Sequence, residues 1–419
     1  MAELAEGAAE LPRDPDRARQ LLTRAFDGFT SASLLPRMAD AALLRARAAL
    51  RLGDRQAAAR DLDAGLAALD RLRVPFAGGA TAGVYDTGAA LFADAVRLRL
   101  ETGDVAGAFA YAEHARGAAV DVRELQQRLA GSGTALIESF VDGGEAIVFA
   151  LSDHDLIAAR RPLPAGGDDA ALYDALIRPC ETVMGRARRL IIVPDARLAT
   201  LPYAALSDGT RRLVERMPLA LAPSATALVH EAPAQPASIA TMALPANDTV
   251  AALPETRAEV ADVARLYPRG TIVEASPASL RAVNADVLHI AGHTGRTGSD
   301  DAALVFGSER VAWSDVARAP LHAGIVTLSA CETLRDPAQS GGRALSLGAS
   351  FLAAGAHDVV GTLVPIADRD ARALFRDVHR QIAAGVEPSE ALRRAQLDDM
   401  ARGGGAWRAL AVMTRRIVP

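Results

Sequence analysis

Five short apolar runs constrain this chain more than any other feature: RRLIIVP (188–194), ASIATMAL (237–244), ADVLHIAG (285–292), AGIVTLSA (323–330) and HDVVGTLV (357–364). Each is continuous rather than alternating, as in a strand buried on both faces. Amphipathic helical stretches separate them, the longest at Ala344–Ala354 and Asp368–Ala384. Runs and helices in alternation predict an α/β domain, a mostly parallel sheet with helices on both faces. Ahead of them, TALIESFVDGGEAIVFALSDHDLIAARR predicts two or three antiparallel strands turning at a Gly-Gly hairpin. The α/β domain is placed at 131–419.

Residues 1–130 have a different period. In ADAALLRARAALRLGDRQAAARDLDAGLAALDRL, apolar residues recur every three or four positions, with a break at Gly53 and Asp54. The phrase returns as GAALFADAVRLRLETGDVAGAFAYAEHARGAA, broken at Gly103 and Asp104. At both breaks glycine suits the end of one helix and aspartate the cap of the next. DPDRARQLLTRAF is a third, partial copy. This pattern resembles tetratricopeptide repeats, helix pairs of about 34 residues that stack into a solenoid. The interval here is 50, with the excess in RVPFAGGATAGVYDTG, read as an inserted loop or a lengthened helix end. A helical hairpin array without repeat ancestry would look similar.

Composition excludes several classes of function. All 46 basic residues are Arg, the net charge is −5, and like charges form no long block. Neutralising nucleic-acid phosphates needs a basic face, so a nucleic-acid partner is not expected. The first residues, MAELAEGAAE, lack the pattern of a secretory signal, and the longest apolar stretch, Ala344–Ala356, is too short to span a bilayer. Two cysteines, Cys180 and Cys331, cannot form a disulfide framework. We expect a soluble, cytoplasmic protein. His289 and His293 could face the same way along a strand, yet no third ligand accompanies them, so no metal is expected. GSDDAALVFGSE lacks the Gly-Lys-Ser/Thr ending of a phosphate-binding loop, and no cofactor is expected.

In open α/β sheets, functional residues gather beyond the carboxyl ends of strands. ADVLHIAGHTG puts His293 just past one predicted strand, and AGIVTLSACET puts Cys331 just past another. If those strands are parallel neighbours, an imidazole and a thiol emerge at one edge and can act as base and nucleophile. Backbone N–H groups of the two loops could hold the oxyanion. Taken singly, the cysteine could be a small buried hydrophobe and the histidine a structural residue. Cys180 has no histidine nearby and reads as core.

The second part resembles a CHAT domain, the caspase-like peptidase domain often fused to tetratricopeptide repeats. Matching phrases run in family order: RLIIVPDARLATLPYAAL, PLALAPSATAL, LPETRAEVADVARLYP, ADVLHIAGH, TLSACET, the stretch from GGRALSLGASF to HRQIAAG, and PSEALRRAQ. The resemblance implies His293 as base, Cys331 as nucleophile, and the backbone N–H groups of Thr294 and Cys331 at the oxyanion. Thr294 stands where caspases and many relatives have Gly, and Val364 where the family's Leu-Trp phrase has Trp. ADRD resembles a stretch of separase, a relative that cleaves after Arg. Asp368 would then bind a basic P1 side chain, or could instead cap the helix it begins. Glu332 has no assigned role; pointing inward, it would raise the thiol pKa.

The expectation is a cysteine endopeptidase acting on a protein or peptide substrate, with a regulatory protein bound by the repeats. By resemblance the setting would be bacterial signalling or defence. The alternative is a silent caspase-like and repeat scaffold for protein–protein interaction.

Overall fold

The computed structural model describes residues 1–72, 82–117, 120–231, 235–246, 253–296, 302–335 and 346–418. They fall into two compact units, one over Met1–Val120 and the other from Asp121 onward.

The first unit is all helix: α1 (Ala2–Glu10), α2 (Pro15–Ser31), α3 (Leu35–Arg51), α4 (Arg55–Asp70), α5 (Ala82–Glu101) and α6 (Val105–Ala115). Alanine supplies much of its core, with Ala18, Ala41 and Ala48 fully buried beside Leu22 and Phe29. Side chains this short let helices approach closely. Gly53 and Gly103 take φ near +79° and +77°, open to glycine without strain. Asp54 and Asp104 then cap α4 and α6, accepting hydrogen bonds from the N–H groups of Ala57 (2.9 Å) and Gly107 (2.8 Å). Residues 73–81 of the expected insertion lie outside the described residues, and the remainder begins α5.

The second unit starts with α7 (Val122–Leu129), β1 (Thr134–Asp142), β2 (Glu145–Leu151) and β3 (Leu156–Pro162). Then come α8 (Asp169–Leu176), α9 (Glu181–Met184), β4 (Arg189–Val193), α10 (Leu213–Arg216), β5 (Leu219–Leu221) and β6 (Val229–His230). The site-bearing region follows as β7 (Ser238–Ala243), α11 (Thr256–Ala264), β8 (Arg269–Ile272), α12 (Pro277–Arg281) and β9 (Val287–Ala291). A small sheet, β10 (Thr294–Arg296), β11 (Ala302–Phe306) and β12 (Glu309–Ala312), leads through α13 (Trp313–Arg318) to β13 (Ile325–Ser329). The described chain closes with α14 (Leu347–Ala354), β14 (Asp358–Thr362), α15 (Asp368–Ala383), α16 (Pro388–Ala401), β15 (Leu410–Thr414) and β16 (Arg416–Ile417).

Among the described residues the main sheet has eleven strands, ordered β3-β2-β1-β4-β5-β15-β14-β13-β9-β7-β8. All five apolar runs became strands in it. The β1–β2 hairpin turns on Gly143 and Gly144, with Asp142 opposite Glu145. The sheet comprises two parallel blocks, β1-β4-β5-β15 and β14-β13-β9-β7-β8, which meet antiparallel at β14–β15, and β2 and β3 add to the β1 edge in antiparallel pairing. The reversal follows from the connection. One crossover helix would return the chain for a parallel strand, whereas α15 and α16 together carry it there and back. Alternate residues divide between two cores. Leu288 and Ile290 of β9 join the core with α12, α13 and α14, while Val287 joins that with α11, α15 and α16.

On that second face a polar cluster interrupts the apolar core. His289 of β9, Thr327 of β13 and His379 of α15 are fully buried. Thr327 Oγ1 lies 2.8 Å from His289 Nδ1 and 2.9 Å from His379 Nε2, and the two ring nitrogens are 3.3 Å apart. The other nitrogen of His379 meets the Tyr267 hydroxyl at 2.8 Å. His289 Nε2 is 3.2 Å from Glu259 Oε1 on α11, within ion-pair reach but outside good hydrogen-bond geometry. His289 is thus engaged by core partners. Burial, and secondarily the neighbouring His289, hold the His379 pKa well below the ordinary imidazole value; burial pushes the Tyr267 phenol up.

Two measurements follow. Asp54→Ala and Asp104→Ala should each lower stability by about 1 kcal/mol, read from the urea midpoint, with Asn largely restoring it. His379 is held neutral in the fold but protonates freely once unfolded. Its contribution is therefore complete above the unfolded imidazole pKa, near ~6.5, and lost as pH falls below it. His379→Gln should flatten the decline in urea midpoint between about pH 7 and 5 relative to the parent chain.

Candidate active site

The carboxyl ends of β7, β9, β13 and β14 emerge along one edge of the sheet. Register aligns Ala243 with Ala291 and Ala291 with Ser329. His293 and Cys331 each lie two residues beyond that last β9–β13 rung, so their backbones leave the sheet about one strand spacing apart, ~5 Å. Gly292 N–H donates to the Ser329 carbonyl at 3.0 Å and extends the pairing past the strand. Gly292 has φ +151°, and a Cβ there would stand 2.5 Å from Leu244 Cβ, so the turn into His293 requires glycine. Both His293 and Cys331 are half-buried.

The histidine loop runs directly into β10. Val305 N–H donates to the His293 carbonyl at 3.2 Å, and Thr294 stands opposite Leu304. Because hydrogen-bonded and non-bonded pairs alternate in an antiparallel ladder, Thr294 occupies a non-bonded position and its N–H points away from β11. Its side chain turns to the nucleophile loop, Thr294 Oγ1 donating to the Cys331 carbonyl at 2.5 Å. On the opposite flank, Thr362 at the end of β14 donates its hydroxyl to the Ala330 carbonyl (2.5 Å) and its N–H to Thr333 Oγ1 (2.9 Å). Leu334 N–H returns a bond to the Thr362 carbonyl at 2.9 Å. A Cβ at Gly361 would lie 2.5 Å from Thr333 Oγ1, so this close approach also needs glycine. The supporting roles of Thr333 and Thr362 were not evident in the sequence, since each depends on strands meeting across the sheet.

Glu332, directly after Cys331, has φ +55°, an uncommon conformation for a residue with a side chain. Its carboxylate pairs with the Arg335 guanidinium, both side chains being partly exposed. That pairing occupies the charge that, pointing inward, would have opposed thiolate formation. Cys180 stands apart from this edge: it is buried, its Sγ 3.8 Å from the Leu176 carbonyl, and burial pushes its thiol up to about 12.

Asp368 opens α15, but the helix cap is Ala367 and carries no side-chain hydrogen bond. Instead Asp368 Oδ2 accepts from the Glu255 N–H, 2.8 Å away, at the entry to α11. Arg372, one turn further on, reaches Glu255 Oε2 at 2.5 Å and Asp262 at 2.5 Å. The Arg372 guanidinium is the main cause of the lowered Asp262 pKa. Val364, two residues past the end of β14, is among the exposed large apolar residues, at 43%. Among the described residues no cluster of His, Cys, Asp and Glu could hold a metal ion, and no helix is long and apolar enough to cross a membrane.

Comparison with known proteins agrees with this architecture. The model of the CHAT domain family matches residues 169–404, more than half of the chain. No curated protein sequence matches it. Among solved structures, the chain is similar to the Saccharomyces cerevisiae separase–securin complex at 2.6 Å resolution. The TM-score is 0.50 at 10% identity, covering 86% of this chain and 37% of that one. A second structure of the complex, at 3.0 Å, gives a TM-score of 0.48 at 9% identity, with coverage of 86% and 37%. At such identity the likeness concerns the fold, a separase-like caspase fold preceded by helices. With the family match spanning more than half of the chain and both candidate loops, the chain belongs to the CHAT domain family.

Proposed function

We propose that this chain is a cysteine endopeptidase in which His293 and Cys331 form the catalytic dyad. The observation that supports the reading is the parallel pairing of β9 with β13, whose last rung, Ala291 opposite Ser329, lies two residues before His293 and Cys331. In the proposed cycle His293 takes the Cys331 proton, and the thiolate attacks the scissile carbonyl. The N–H groups of Thr294 and Cys331 receive the developing oxyanion. His293 then protonates the leaving amine, and water, activated by the same imidazole, releases the acyl group.

Asp368 is the proposed selector of an Arg at P1. It follows β14 at the same edge, where a carboxylate can pair with a guanidinium in bidentate fashion. Its bond to Glu255 N–H would fix one oxygen while the substrate is read. The helical array, proposed as a tetratricopeptide-like domain over residues 1–130 ahead of a CHAT domain over 131–419, would recruit the protein substrate or a regulator. The complex of the matched separase with securin supports a protein partner here.

The test is labelling by a thiol-reactive peptide probe with Arg at P1. Wild type should label, and Cys331→Ala and His293→Ala should not. Asp368→Asn should cut the rate with the Arg probe by at least about tenfold, the cost of losing a charged partner. Labelling only by an Asp-P1 probe would retain the peptidase and remove the Arg pocket. Failure with both probes in the presence of a cell lysate would favour the scaffold.

A further inference from the structure

The carbonyl that Thr294 holds belongs to the peptide linking Cys331 to Glu332. In a trans peptide, fixing the direction of the C=O also fixes the N–H of the following residue and the plane between them. The torsion just beyond that plane is the unusual one, Glu332 at φ +55°. A residue with a Cβ persists there only when its surroundings over-determine it. Thr362 and Thr333 tie the Ala330 and Thr333–Leu334 parts of the turn to β14. At its centre, the Cys331 carbonyl is tied to the other neighbour, the loop that carries His293.

We propose that Thr294 is a positioning residue: its hydroxyl couples the histidine loop to the nucleophile turn and holds Cys331 at its working distance from His293. The inference rests on the dyad reading and adds a residue that acts through the dyad. A glycine at this position has no hydroxyl, so the coupling belongs to chains with Ser or Thr at 294. The bond is short, 2.5 Å, and part-buried, so water competes for it poorly. Valine has the shape of threonine and lacks the donor; serine keeps the donor.

The experiment measures alkylation of the full chain by iodoacetamide as a function of pH, with the modified cysteine identified by peptide mass. Buried Cys180, its thiol held up at about 12, stays unmodified while the chain is folded and reports any variant that unfolds. In wild type, Cys331 should react near pH 7 about tenfold faster than in His293→Ala. Thr294→Val should slow Cys331 about tenfold near pH 7 and lower kcat on a peptide substrate with KM little changed. Thr294→Ser, which keeps the donor, should recover most of the reactivity lost in Thr294→Val. A Thr294→Val profile superimposed on wild type, or a Thr294→Ser variant as impaired as Thr294→Val, overturns the positioning role and leaves the dyad standing. Equal reactivity of Cys331 in wild type and His293→Ala overturns the dyad, and the role of Thr294 with it.

Discussion

The pairing of β9 with β13 is the constraint on which the site depends. Parallel strands meet in fixed register, and the side-chain period of two leaves no tolerance: a slip by one residue would send His289 and Thr327 to opposite faces. Here those two residues stand opposite each other and are joined by a 2.8 Å hydrogen bond. Four residues further along the chain in each case, past the strand ends, come His293 and Cys331. The buried cluster thus acts as a register mark, because slippage would leave polar groups without partners in an otherwise apolar core. His379 and Tyr267 extend the mark to α15 and to the segment after α11, fixing the helices to the strands they cover.

At the edge itself, support comes from residues small enough for backbones to approach and from hydroxyls short enough to reach a neighbouring carbonyl. Gly292 and Gly361 serve the first need, and Thr294, Thr333 and Thr362 the second. The carboxylates around α11 and α15 are tied in similarly: Arg372 engages Glu255 and Asp262, and Asp368 takes the Glu255 amide. Positive charge and backbone donors are therefore distributed so that these acids lie together without unopposed repulsion.

Much of this was legible in the sequence. The run ADVLHIAG became Val287–Ala291 and AGIVTLSA became Ile325–Ser329, because strands buried on both faces must be apolar throughout. The aspartates at 54 and 104 announced their caps. Less legible were β5, apolar but only three residues long, and β8, RGTI, with a single aliphatic side chain. Sheet order and the reversal at β14–β15 were hidden as well, since nothing local in the LAVMT segment says which neighbour it will meet. His379 sits in DRDARALFRDVHR, where its polarity suggests a solvent face; its partners on β9, β13 and the segment at Tyr267 come from distant sequence. The engagement of Asp368 with Glu255 spans 113 residues and was invisible for the same reason.

The sheet reversal also orders the assembly of the second unit. Strand β15 lies between β5 and β14, so the block formed by β1, β4 and β5 is completed only by residues 410–414. Met413 pairs with Leu221, a closure over nearly two hundred residues. During synthesis β5 therefore emerges long before its neighbour and presents an open hydrogen-bonding edge of the kind that invites mispairing. Its length of three residues limits that hazard, offering a foreign strand few amides to grasp. The late strand thus acts as a keystone, and the two blocks become one sheet when it is set.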